Sequence, residues 1–473
     1  MRFNQYDAII IGAGIGGLVC GCCLAKSGKK VLIIEKNKKP GGYCTSFKIK
    51  DFCFDAFVHS FGNASKGNHF YQILKSLNIL KRLKFVRHNP SDIIYAPDFV
   101  IKFWNDHFRV INDLSKIFPT EKESIRNFFI KVINEEGLGS VSRFRNKTFL
   151  EVLDQKIKND KLKAALSLPI FGNLGLTAKR ISAFTAIKHY KQFILDGGYY
   201  PEGGVQAVPD VFLQKFKELG GQMLFSTKVL TILTTKQKAC GVTTHNGGKY
   251  YSKYIVSDCD AKSTFLNFIG EKKLPRGFVK KIKLMKSSSS LAIVQLGVES
   301  NLKHHLENNV NNWFMFDYNY DKVDSKSSEN NFLNIKWFMI RPNFSQRSIV
   351  IYTTAPFRSE RYWRKNREIY LKEIISRIEH IIPACRKSIS FQNILTPIVL
   401  RKWTENYRGA AYGWASSPDQ LMDGDFISDN IVKNLFLCGH WSTVGQGIPG
   451  VSIAGERVAR NILRRESRSY AKK

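Results

Sequence analysis

The chain contains no run of 18 or more apolar residues, so it carries no segment that reads as an ordinary transmembrane helix. No signal peptide precedes its first strand-like stretch, Tyr6 to Ile11, and the protein is expected to begin and stay in the cytoplasm. Its nine cysteines are odd in number, which speaks against a disulfide framework and for a reducing compartment. Cys20, Cys22 and Cys23 fall on a predicted helix and read as packing residues. Acidic residues are scarce: 39 Asp and Glu face 73 Lys and Arg, a net charge of +34. Zinc-finger, RNP-type and repeat motifs are missing, so this excess is not read as nucleic-acid binding.

What remains is a folded, cavity-bearing protein. Hydrophobic residues at 43% and aromatics at 12% exclude a disordered chain. At 473 residues the chain suits two intertwined domains, or one large α/β domain with a cap. Basic residues cluster at Lys272, Lys273, Arg276, Lys280, Lys281, Lys283 and Lys286, and again at Arg464, Arg465, Arg468, Lys472 and Lys473. Such clusters suit an anionic membrane face, or form a solvated surface.

The most specific pattern lies near the N-terminus. Asp7 to Gly17 is an apolar run entering a glycine-rich turn, followed by the small-residue stretch Leu18 to Ala25 and then by Val31-Leu-Ile-Ile-Glu35. Strand, turn, helix and strand are the context in which a GxGxxG pattern has meaning. Gly12 permits the tight turn, Gly14 and Gly16 let backbone approach a pyrophosphate, and Gly17 lets the helix lie close to the sheet. Phosphate charge then rests on the helix N-terminus. Glu35, with Lys36 beside it, ends the second strand where an acid accepts hydrogen bonds from a ribose.

Pro40-Gly-Gly-Tyr-Cys-Thr-Ser-Phe47 and Phe54-Asp-Ala-Phe-Val-His-Ser-Phe-Gly62 follow at once. With these blocks the chain resembles the FAD-dependent polyene oxidoreductases, the group of phytoene desaturase, carotenoid isomerase and all-trans-retinol saturase. The resemblance places Gly41, Gly42, Thr45 and Ser46 near the pyrophosphate of FAD, and Asp55 and His59 in the next block. Tyr43 stands where desaturases often carry Arg, and Ala56 where Gly is common. The resemblance also sets Val229 with its backbone against the adenine. Gly439, Gly447, Ile448 and Val451 fall in a closing flavin motif, where Gly445, Gly447 and Gly450 repeat the GxGxxG spacing. Only 23 residues follow Gly450, too few for a second dinucleotide fold.

The implied architecture is α/β: a Rossmann-type FAD-binding domain with an interleaved α+β substrate or cap domain, as in amine oxidases. The FAD domain comprises 1–64, 196–287 and 426–473, and the cap 65–195 and 288–425. Met223 to Val229 reads as one strand, and Asn308 to Asn331, rich in Asn, Asp and Ser, as a loop. Ala164 to Ala178 is apolar between basic flanks. It reads either as a segment dipping into one leaflet or as a helix packed over the cofactor.

Flavin carries the hard chemistry, leaving the protein to supply position, electrostatics and a dry cavity. His59 and His440 are the candidate catalytic groups, as proton donors or flavin partners, against a purely structural role. Trp403, Tyr412 and Trp414 suit a flat polyene. His304-His305 lacks metal-ligand spacing, and no metal is expected.

The expected activity is FAD-dependent desaturation, saturation or cis–trans isomerisation of a long apolar, isoprenoid substrate, by a protein peripherally attached to an anionic membrane. An amine or protoporphyrinogen oxidase type is an alternative. So is a non-catalytic escort of prenylated partners, like the GDP dissociation inhibitors. Reaction direction, electron partner and oligomeric state stay open at this level.

Overall fold

The computed structural model describes residues 5–133, 143–299, 306–320, 335–343, 345, 347–383, 385–422, 431–442 and 446–470. His304, His305 and Gly445 lie outside the described residues.

Two seven-stranded sheets organise the chain. In the first, Tyr6–Ile11 pairs in parallel with Val31–Ile34 on one side and Lys249–Ser257 on the other. Gln222–Leu224 and Leu435–Leu437 extend the parallel part, and Val229–Thr235 and Lys238–Thr244 form an antiparallel flap. Strands buried on both faces need not alternate with polar residues, and Tyr6–Ile11 does not. Ala8 and Ile10 pack into one core, Ile9 and Ile11 into another. The helix Ile15–Lys26 covers one face together with Ala207–Glu218 and the C-terminal helix Gly447–Tyr470. A Cβ on Gly455 would sit 2.2 Å from the Gly16 carbonyl, so these two helices touch backbone to backbone.

The second sheet runs in the order Ile389–Leu395, Ser290–Val298, Ser348–Ala355, Trp337–Asn343, Asn311–Met315, Asp92–Tyr95 and Val100–Phe103. One face carries the long helix Glu360–Ile381, and the other packs against helices from residues 107–195. Three expectations are corrected here. Met223 to Val229 is not one strand: Gln222–Leu224 ends, and Val229–Thr235 starts a different pairing, with Thr227 N–H bound to the Glu35 carbonyl between them. Asn311–Met315, inside the expected loop, is a fully buried interior strand. Asn311 tolerates burial through its bond to Asp92, and the Asn312 amide nitrogen donates to backbone carbonyls.

The third correction concerns Ala164 to Ala178. Helix Asp160–Leu174 spans most of it, and Leu166, Leu168 and Ile170 are 0% exposed. A Cβ on Gly172 would meet the Trp313 ring at 2.2 Å, and Phe171 packs on Trp337 at 5.5 Å. This helix is apolar all round because protein encloses it, so it has no face to give a leaflet.

Candidate active site

One cavity lies between the two sheets. Its floor is the glycine turn. Gly12 adopts φ +99°, a conformation that L side chains rarely adopt. Gly14 caps the first helix with extended backbone and no side-chain bond. A Cβ on Gly14 or Gly16 would press within 2.4 and 2.7 Å of the Asp258 carboxylate, so only glycine leaves this floor open. Gly17 lies outside the cavity wall and, as expected of its position, packs closely: a Cβ there would stand 2.4 Å from the Gly12 carbonyl.

Glu35 is buried at the edge of the floor. Its Oε2 accepts the Ala13 N–H and its Oε1 the Asn37 N–H, both at 2.8 Å, which fixes the carboxylate against the turn. Lys36 also lines the cavity but ties its Nζ to the Trp403 carbonyl at 2.6 Å, joining the second strand to the opposite wall. Gly42 lines the cavity, whereas Thr45 and Ser46 do not. Thr45 donates to Gln206 and Ser46 donates to Asp55 at 2.7 Å, so both hydroxyls brace the segment from behind. Val229, Gly439, Gly447, Ile448 and Val451 complete the cofactor side of the wall.

Asp258 is the residue that pattern reading missed. It ends the strand beside Tyr6–Ile11, faces Gly14, Gly16 and Gly439, and takes hydrogen bonds from the Gly14 and Gly17 backbone. Burial nevertheless pushes its carboxyl up to about 7. Cys438 Sγ lies 3.5 Å from its Oδ1.

The cap side is aromatic and polar in turn. Phe57, Trp403, Tyr412 and Phe193 line it, with Phe57 edge-on to Tyr412 at 5.3 Å. Trp414 does not: it packs edge-on to Trp441 at 4.8 Å and donates to that residue's carbonyl. His59 and His440 both line the cavity. His59 Nδ1 lies 3.1 Å from Asn311 Oδ1, which also accepts from Arg341 Nη1 at 3.1 Å, while Asn311 Nδ2 donates to Asp92 at 2.9 Å. The amide is thereby oriented, and His59 must donate from Nδ1. Burial, then Arg341, pulls His59 down to about 3, and burial alone pulls His440 down to about 4. Both rings are neutral near pH 7, so neither holds an imidazolium proton to give. His189, Asn173 and Asp92 also reach this wall, and none was expected from the sequence.

The open glycine floor, the buried strand-end acid and the free helix N-terminus fit an FAD pyrophosphate and ribose. The model for the flavin containing amine oxidoreductases matches residues 15–463. All-trans-retinol 13,14-reductase of Danio rerio is 23% identical, over 92% of this chain and 82% of that protein. The chloroplastic prolycopene isomerase of Daucus carota is 26% identical over 98% and 80%. The lycopene-forming phytoene desaturase of Pantoea ananas is 22% identical over 93% and 96%. Among solved structures, an oxidoreductase from Methanosarcina mazei superposes with a TM-score of 0.69 at 14% identity, covering 96% of this chain and 99% of that one. Cyclohexylamine oxidase from Brevibacterium oxydans gives 0.62 at 15% identity, covering 98% and 99%. The chain belongs to the flavin containing amine oxidoreductase family and is an FAD-dependent oxidoreductase.

Proposed function

We propose that the enzyme acts on the C=C bonds of a long apolar isoprenoid polyene. The carrying observation is the continuity of one cavity from the glycine floor to the aromatic cap wall. The names of the Danio rerio, Daucus carota and Pantoea ananas relatives, which refer to retinol, prolycopene and lycopene formation, support the same class.

Bound flavin supplies electron or hydride exchange with the polyene. The chain's own residues orient and enclose. Gly14, Gly16 and Gly439 admit the cofactor, Glu35 stands ready for its ribose, and Val229, Ile448 and Val451 flank it. Tyr43, fixed by its hydroxyl bond to the Ala410 carbonyl at 3.0 Å, joins Phe57, Trp403 and Tyr412 in a dry aromatic wall. His59 and His440 act as neutral hydrogen-bonding groups.

The substrate class motivates membrane attachment. No helix among the described residues is long and apolar enough to cross a bilayer. Attachment therefore rests on the basic clusters, above all the helix Arg276–Leu284. There Leu284 is 69% exposed among Lys280, Lys283 and Lys286. The nine unpaired cysteines fit the cytoplasm.

Anaerobic incubation with a polyene panel in detergent, with flavin oxidised and then reduced, tests this reading by chromatography. Turnover of amines with the polyenes untouched would overturn it.

A further inference from the structure

The C-terminal helix Gly447–Tyr470 starts at the cofactor cavity and runs out along the surface. Its first turns place Gly447, Ile448 and Val451 on the cavity wall, and from Ile453 onward it forms one side of a second, open groove, against the helix His69–Ser76. Arg457, Arg460, Asn461 and Arg464 line that groove at spacings of three and four residues, which puts them on one helix face. All three arginines are exposed, and Glu456 is the one carboxylate among the lining residues. Glu456 is already shared between Arg460 at 3.1 Å and His69 Nε2 at 2.7 Å, while Arg457 and Arg464 form no ion pair with an acid among the described residues. The groove is therefore cationic and suits an anionic partner.

Its place in the fold says which one. Val458, Ala459 and Ile462 pack the C-terminal helix onto the face of the first sheet that carries Ala8 and Ile10, whereas Phe278 and Ile282 pack the basic helix Arg276–Leu284 onto the opposite face, with Ile9 and Ile11. A molecule seated on a bilayer through Leu284 turns the arginine groove away from the lipid and towards solvent. The groove also lies beside the cofactor. Arg457 follows Val451 of the cavity wall by six residues, about 9 Å along the helix axis, and Arg464 by thirteen, about 20 Å. A net change in the number of C=C bonds moves two electrons through the flavin, which then has to be restored from outside the chain. The βαβ unit from Tyr6 to Ile34 is taken by FAD, and the closing GxGxxG has too few residues after it for another, which leaves a nicotinamide nucleotide no such unit among the described residues.

We propose that the groove between the helices His69–Ser76 and Gly447–Tyr470 docks an acidic electron-carrier protein, a small iron–sulfur or flavin protein with a carboxylate-rich rim. The inference rests on the redox reading of the cavity and names its electron partner. Two encounters deliver one electron each, two protons come from solvent, FAD becomes FADH₂ and two carrier molecules are oxidised. For desaturation of the polyene the same exchange runs in reverse.

The test uses flavin-loaded protein and two acidic probes, a plant-type two-iron ferredoxin and a flavodoxin. Kd is read by isothermal titration, and flavin reduction by the loss of its absorbance on anaerobic mixing with reduced probe. At least one probe is expected to bind wild type and to reduce its flavin. R457E/R464E should weaken that Kd about tenfold or more, because opposed charges at an interface repel, and R457K/R464K should keep most of it. K365E/K372E, on the long helix Glu360–Ile381 that covers the second sheet, should stay within about twofold at ~0.1 M salt, where distant charges are screened. Equal losses from the two reversals would mean that overall charge attracts the probe, and no binding of either probe would mean that the groove has no such partner; both results overturn the proposal. So would reduction by NADPH alone as fast as by the probes, or loss of anionic-liposome flotation in R457E/R464E with flavin reduction unchanged, which gives the face to the membrane. Dithionite reduces flavin without docking and so tests the substrate reading apart from the partner. Polyene conversion with dithionite but with neither probe overturns the docking alone. Absence of conversion with dithionite, while R457E/R464E still loses the probe, overturns the polyene reading and leaves the docking standing.

Discussion

A Cβ placed on Gly14 would stand 2.4 Å from Oδ2 of Asp258, which makes the third residue of the glycine turn and the end of a strand some 240 positions later one surface. Gly14→Ala is therefore expected to push Asp258 into the cavity and to abolish flavin retention while the chain stays folded. Flavin content after gel filtration, alongside circular dichroism, checks this. Full flavin occupancy would remove the glycine floor from the cofactor site.

Asp258 also sets a pH dependence. Its carboxyl is raised to about 7 by burial, above its ordinary value, so the folded state holds its proton more tightly than the unfolded one. That contribution to stability is fully present at pH values below the ordinary carboxylate range. It is lost as pH rises toward about 7. A negative charge on this wall also opposes an anionic ligand. Flavin affinity should fall as pH rises through the same window, and Asp258→Asn should flatten both profiles. Titration of FAD into apoprotein at several pH values, with thermal melts, measures the two effects.

Glu35→Ala leaves the Ala13 and Asn37 N–H groups without their acceptor and removes the proposed ribose partner. FAD binding should weaken by roughly 1 to 3 kcal/mol, the range for buried polar groups left unpaired. Isothermal titration with FAD gives the number directly. No measurable loss would mean that another residue holds the ribose.

Asn311→Ala removes one bond each from His59, Asp92 and Arg341, although Asp92 keeps Trp313 and His59 keeps Asn173. Urea denaturation should show a loss of about 1–3 kcal/mol, the range for one buried group left unpaired. A smaller loss would show that the network has other support.

The division between what the sequence reveals and what it hides follows from the range of the interactions. The glycine turn, the strand Tyr6–Ile11 and the acid Glu35 are read locally, because turn, helix and strand obey steric rules spanning a few residues. Gly439, His440, Gly447, Ile448 and Val451 were placed by resemblance, and the structure brings all of them to the cavity. Thr45 and Ser46 share that motif block but point at Gln206 and Asp55, a distinction made by side-chain partners far along the chain. The Asn-rich stretch read as a loop because asparagine favours turns when nothing else satisfies it. Asn311 is satisfied by His59, Asp92 and Arg341, none of them near it in sequence. His189 and Asp258 carry no motif; one is marked by a missing partner and the other by a contact with glycine, and both exist only once the chain is folded.

Membrane attachment is expected to depend on the helix Arg276–Leu284 and not on residues 164–178. Replacing Lys280, Lys283 and Lys286 by Gln should cut binding to anionic liposomes by about 1 kcal/mol per lysine at low salt. Leu284→Ser should reduce the salt-resistant remainder. Serine at Leu166 and Ile170 should instead unfold the cap, because both are buried in its core. Flotation assays over a salt series separate these outcomes, and absence of binding even at low salt would make the basic surface merely solvated.

The central claim is that this cavity places a polyene against FAD. It is tested most directly by mixing the purified flavoprotein anaerobically with a conjugated isoprenoid polyene, once with oxidised and once with reduced flavin, and analysing the polyene by chromatography. The account expects the number or geometry of its double bonds to change in at least one redox state, and the change to vanish in Gly14→Ala protein. Recovery of the polyene unchanged under both conditions, from protein that holds its flavin, would contradict it.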